Sequence, residues 1–289
     1  MNTNAFDGLP KSKLTGKPVL HFVHANGVPS PSYEPLFAIW EQVFSVERID
    51  FFGTDYRYPI DDNWRGLTHQ VSDSIQDACD KHGVDMLVAV GHSVGAMTTL
   101  QAMYGNVRHV RAAVLLDPSL LMGRRSFGWF VAKQLDKIPA FHHRVIDKMS
   151  PAGKSKHRKD SFVSRQAAYD NLRHKGLFKP FDEQCFGAYI KHGFKDNADG
   201  TVSLTIAKSV EVAIFRTIPM TYWYHTPKLP KPVCILAGKD SYFDEIGSYR
   251  LANKQLGIPI KYHNGTHMFP LEHPQSTAQM VLDTLLEQL

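Results

Sequence analysis

The stretch 88-VAVGHSVGAMTTL-100 carries an apolar strand into a helix-forming run through Gly91-His92-Ser93-Val94-Gly95. A strand that ends in so tight a turn lifts one side chain above the sheet edge. The residues two positions to either side must then be small, so that strand and helix can approach. Gly91 and Gly95 meet that demand around Ser93. The helix behind the turn supplies free backbone N–H groups, and that of Val94 can face a developing oxyanion. The arrangement therefore presents a serine nucleophile.

Working outward, KPVLHFV (17–23), VFSVERIDFF (43–52), DMLVAVG (85–91), VRAAVLLD (110–117), KPVCILAG (231–238) and IPIKYHN (258–264) read as strands. Their Val, Ile and Leu content suits strands covered on both faces. Helical segments lie between them, among them 64-WRGLTHQVSDSIQDACDKHG-83, where Leu67, Val71, Ile75 and Ala78 form one stripe and Gly83 is a C-terminal stop. This alternation predicts an α/β fold with parallel strands. Residues 119–228 break the rhythm with mostly helical segments, so we expect a core of 1–118 and 229–289 with an inserted helical cap of 119–228.

At this point the sequence resembles the α/β-hydrolase superfamily over nearly its whole length. It looks like the subgroup whose oxyanion loop reads His-Ala-Asn-Gly, here 24-HANG-27 directly after VLHFV. The resemblance implies a mostly parallel sheet flanked by helices, and a Ser, acid, His order along the chain. It implies a second oxyanion donor at the N–H of Asn26 or Ala25, beside Val94. Fifteen histidines are present, and the family position of the base falls on His267, within 265-GTHMFPLEHP-274. His273 precedes Pro274 and reads as the start of the last helix. The acid is expected at Asp240, at the end of KPVCILAG, with Asp117 and Asp244 as alternatives. Only Lys239 separates Gly238 from Asp240, where relatives commonly have two residues.

Such a triad serves acyl transfer through an acyl-enzyme. The function expected is hydrolysis of a small-molecule carboxylic ester, with carbon–carbon bond or amide hydrolysis as the alternative. Another class is a non-catalytic ligand-binding or scaffold member, since a fold does not fix a function. A serine nucleophile sets the chain apart from the epoxide hydrolases and haloalkane dehalogenases that the family also holds. Substrate contacts are assigned to His24, His92, Trp129 and Met268. Further aromatics of the insertion, namely Phe127, Phe130, Phe141, Tyr222, Trp223 and Tyr224, are candidates for an acyl pocket or for core.

Composition bounds the rest. With 43% hydrophobic and 21% charged residues the chain is globular. Cys79, Cys185 and Cys234 show neither zinc spacing nor a disulfide framework, and no apolar run nears the ~18 residues of a membrane span. A cytoplasmic enzyme without integral membrane association is the expectation; the oligomeric state is left open. The net charge of +5 hides an asymmetry, because residues 118–228 carry 19 Lys+Arg against 9 Asp+Glu. That surplus suits an anionic substrate, a lipid surface or simply a solvated exterior. The run KSKHRK (154–159) is read as a surface loop rather than a nucleic-acid site. His142, His143 and His157 lack metal-site spacing, so neither metal nor cofactor is expected.

Overall fold

The computed structural model describes residues 6–105, 108–220, 229 and 231–289. Its strands are β1 (Val19–Val23), β2 (Ser45–Ile49), β3 (Leu87–His92), β4 (Val110–Leu116), β5 (Ser161–Phe162), β6 (Phe194–Asp196), β7 (Val202–Leu204), β8 (Val233–Gly238) and β9 (Ile260–His263). The helices are α1 (Glu34–Trp40), α2 (Arg65–His82), α3 (Val94–Tyr104), α4 (Gly123–Asp136), α5 (Arg144–Met149), α6 (Ala152–Ser155) and α7 (Arg165–Arg173). They continue with α8 (Glu183–His192), α9 (Lys208–Arg216), α10 (Tyr242–Glu245), α11 (Ser248–Leu256), α12 (Phe269–Glu272) and α13 (Pro274–Gln288).

All six strands read from the sequence form one sheet of order β2-β1-β3-β4-β8-β9, in which every pairing is parallel. Strands β1, β3 and β8 are buried throughout, while the edge strands β2 and β9 are half-buried. Side chains alternate across the sheet. Leu20, Phe22, Val88, Val90, Val114 and Leu236 pack under α1 and α13; Val19, Val23, Ala89, Leu115 and Ile235 pack under α2, α3 and α11. The stripe Leu67, Val71, Ile75 and Ala78 is buried as its spacing predicts, and Gly83 ends α2 in the left-handed region.

The insertion between β4 and β8 holds α4 to α9 and a small antiparallel sheet of order β5-β7-β6. Two of its helices, α7 and α8, are capped by side chains: Ser164 accepts from the Ala167 N–H, and Asp182 from those of Gln184 and Cys185. Phe178, Phe181, Phe186 and Tyr189 share one apolar cluster with Leu20, Phe22 and Tyr33 of the core. The insertion therefore shares its apolar packing with the sheet layer.

Candidate active site

The strand order sets the site. Since β3 lies between β1 and β4, the loops leaving these three strands are neighbours at one edge of the sheet. Ser93 leaves β3 at φ 57, ψ −114, a strained setting for a residue with a Cβ. The small neighbours are required by backbone contact. A Cβ on Gly91 would lie 2.5 Å from the Gly95 carbonyl oxygen, and one on Gly95 would lie 2.3 Å from that of Val23. The start of α3 thus rests directly on the 24–27 loop.

Ser93 Oγ donates to His267 Nε2 at 2.8 Å, and His267 Nδ1 donates to Asp117 Oδ1 at 2.7 Å. Asp117, fully buried at the end of β4, also accepts from the Ser241 hydroxyl at 2.6 Å, the Tyr249 hydroxyl at 2.8 Å and the Gly238 N–H at 2.7 Å. Four donors converge on its two oxygens and fix the side chain facing the imidazole. Ser93 is 6% exposed and the His267 side chain 28%, so the pair is reached from the histidine side. A second hydroxyl, Ser119 Oγ, lies 3.0 Å from Ser93 Oγ.

Residues 22–280 match the sequence profile of the alpha/beta hydrolase family. The chain belongs to that family. Among solved structures, E-2-(acetamidomethylene)succinate hydrolase is similar at TM-score 0.70 and 18% identity, covering 95% of this chain and 92% of that one. The peroxisomal alpha-beta-hydrolase Lpx1 of Saccharomyces cerevisiae gives 0.69 and 15%, covering 94% and 77%. MenH of S. aureus gives 0.62 and 13%, covering 96% and 97%. No curated protein gave a significant match in sequence.

In this alpha/beta hydrolase the carboxylate that meets the histidine is Asp117, where the sequence pointed to Asp240. Asp240 is exposed and its N–H donates to the Gly265 carbonyl, while Asp244 accepts from the Tyr262 hydroxyl. The reason is the path of the histidine loop. It crosses over the end of β8 so closely that a Cβ on Gly238 would lie 2.4 Å from the Thr266 carbonyl oxygen. His267 is thereby carried past β8 to the end of β4. Glu272 shapes that loop, accepting from the Thr266 N–H and hydroxyl.

The other assignments also change. The Ala25 N–H donates to the Tyr33 hydroxyl at 3.3 Å, so of the N–H groups singled out from the sequence that of Ala25 is engaged within the protein. Among the described residues no backbone acceptor meets the Asn26 N–H. His24 holds the loop: its Nε2 accepts from the Phe52 N–H and its Nδ1 donates to the Ala25 carbonyl. Burial lowers its pKa to about 4, so it is a neutral bracket and not a substrate contact. His92 likewise faces inward. Burial, with the neighbouring His267 adding to it, lowers its pKa to about 3. Trp129 donates to the Ile218 carbonyl inside the insertion, packed with Ala132 and Ile146, and Met268 lies in the main apolar cluster. Tyr222, Trp223 and Tyr224 lie outside the described residues.

The insertion meets the site through α9. Asn26 Nδ2 donates to the Glu211 carbonyl at 3.0 Å, and a Cβ on Gly27 would lie 2.9 Å from Glu211 Oε2. Arg158, read from sequence as part of a surface loop, turns inward instead and donates to Glu211 and to the Tyr189 hydroxyl. Asp136, His142 and His143 bring possible ligand atoms within 4.8 Å of one another, with Asp136 already accepting from the His143 N–H.

Sequence reasoning missed Tyr33, although it sits in the helical segment flanking the 24–27 loop. The chain runs from the Ala25 N–H to the Tyr33 hydroxyl, and from that hydroxyl to His92 Nδ1 at 2.7 Å. It ends with His92 Nε2 donating to the His267 carbonyl at 2.9 Å. It ties the 24–27 loop to the backbone of His267. Tyr33→Phe leaves Ala25 N–H and His92 Nδ1 unpaired, and is expected to lower kcat about three- to tenfold with little change in KM. Unchanged kcat beside a lowered urea midpoint would mean that the chain only supports the fold.

Ser12, His82 and Glu47 form a second serine–histidine–carboxylate chain at 2.6 and 2.7 Å. Ser12 is buried and accepts from the Leu14 and Thr15 N–H groups, so this chain fastens the N-terminal segment to α2 and β2. The three cysteines are buried and unpaired with one another, and no described helix is long and apolar enough to cross a membrane.

Proposed function

We propose that the protein is a serine hydrolase that cleaves a carboxylic ester through an acyl-enzyme. The observation that carries this is the unbroken line from Ser93 Oγ through His267 to the buried Asp117. The Nδ1–H bond to Asp117 leaves Nε2 free to take the serine proton as Oγ attacks the carbonyl carbon. The oxyanion forms against the N–H groups of Val94 and Asn26. Val94 is the first residue of α3 and so has no helical acceptor for its N–H. Protonated Nε2 then donates to the departing alkoxide. Water, deprotonated by the same nitrogen, attacks the acyl group, and the Ser93 hydroxyl is restored. Residues 119–228 form the cap, whose helix α9 is seated on the oxyanion loop.

The test is a fluorophosphonate probe followed by a p-nitrophenyl ester series. We expect one labelled serine, Ser93, and loss of both label and turnover in Ser93→Ala. Labelling at Ser12 would overturn the assignment. No label and no turnover on any ester would favour a ligand-binding member of the family.

A further inference from the structure

We propose that the outer face of α4 and the turn behind it form a docking surface for an anionic phospholipid bilayer. The inward face of α4 is occupied by Ser126, Trp129, Ala132 and Lys133. The outward face carries large apolar residues: Val131, Leu135 and Ile138 recur at helical spacing, and Phe141 and Met149 stand further along the same segment, all between 37% and 54% exposed. Isolated exposed apolar side chains are ordinary, but a contiguous stripe of large ones on a helix marks a surface that meets another apolar phase.

The charge around the stripe selects the phase. Arg124, Arg125, Lys137, Arg144 and Lys148 are exposed along the same segment. Its two acids are turned away from solvent. Asp136 accepts from the His143 N–H, and Asp147 is held by Arg216 and Lys156; both side chains are at most 12% exposed. The exposed charges carried by this segment are therefore all positive, which complements an anionic headgroup layer while the apolar stripe enters beneath it. α4 begins at Gly123, four residues after Ser119, whose hydroxyl contacts Ser93. The inference rests on the serine-hydrolase reading in one respect: docking there would bring the catalytic edge to an ester held in the bilayer.

The experiment is co-sedimentation of the full chain carrying Ser93→Ala with vesicles of phosphatidylcholine, with and without phosphatidylserine. Binding is expected only with phosphatidylserine, weakening as salt is raised. Arg124→Glu with Arg125→Glu should lower the partition coefficient about tenfold or more, and Val131→Glu with Leu135→Glu should do the same. In the Ser93 background, both double variants should keep wild-type turnover of a short soluble ester. No binding to anionic vesicles, or binding that neither double variant reduces, would overturn the proposal. So would a lipid-free dimer that Val131→Glu with Leu135→Glu dissociates, which would make the patch a self-association face. Vesicle binding without ester turnover in the Ser93 protein would remove the hydrolase reading and leave the docking surface standing.

Discussion

Asp117→Asn is expected to lower kcat on a p-nitrophenyl ester by about three to four orders of magnitude, whereas Asp240→Asn stays within about twofold of wild type. The asparagine cannot both accept from His267 Nδ1–H and keep all the bonds Asp117 makes. With its oxygen at the Oδ1 position it satisfies His267, Ser241 and Tyr249, but its amide then confronts the Gly238 N–H. Flipped, the amide faces the imidazole and selects the wrong tautomer. The same conflict costs about 1–3 kcal/mol of stability, so folded protein is verified by circular dichroism before rates are compared. A large loss in Asp240→Asn, with Asp117→Asn active, would refute the geometry.

Stability should fall steeply as pH drops below about 6.5, because three histidines are buried uncharged. Burial is the main cause for each: His21 and His24 are lowered to about 4 and His92 to about 3. In the unfolded chain they regain a value near 6.5, so between there and about pH 4 the unfolded state binds more protons than the native one. Stability is therefore unaffected above 6.5 and lost as pH falls. Each histidine contributes about 1.4 kcal/mol per pH unit, roughly 4 for the three together. By pH 5 that is comparable with the whole net stability of an ordinary domain. Urea unfolding from neutral to acid pH measures it. His21→Gln, whose native ring bonds Ser74 away from the site, should remove about a third of the slope. A midpoint that stays level to pH 5 would show that these rings are hydrated or charged in the native state.

The sequence by itself determined the six strands and the tight turn at Ser93, and it picked out the histidine that meets that serine. These are local matters: small residues two positions from a turn, apolar runs between helical stripes, and a histidine between the last strand and the last helix. Only the tertiary structure decided which carboxylate meets it. Strands β4 and β8 are parallel neighbours, both ending in or near an aspartate at the same edge. The choice depends on how tightly the 265–267 loop crosses Gly238, a contact between segments far apart in the chain. The same holds for α4, where both faces are apolar and spacing cannot say which is inside. Packing against Ile146 and the Ile218 carbonyl turns Trp129 inward and leaves Val131 and Leu135 on the surface. His24 and His92 stand where the motifs place them, but the Phe52 N–H at His24 Nε2 and the Tyr33 hydroxyl and His267 carbonyl at His92 are partners that only the folded chain brings within reach.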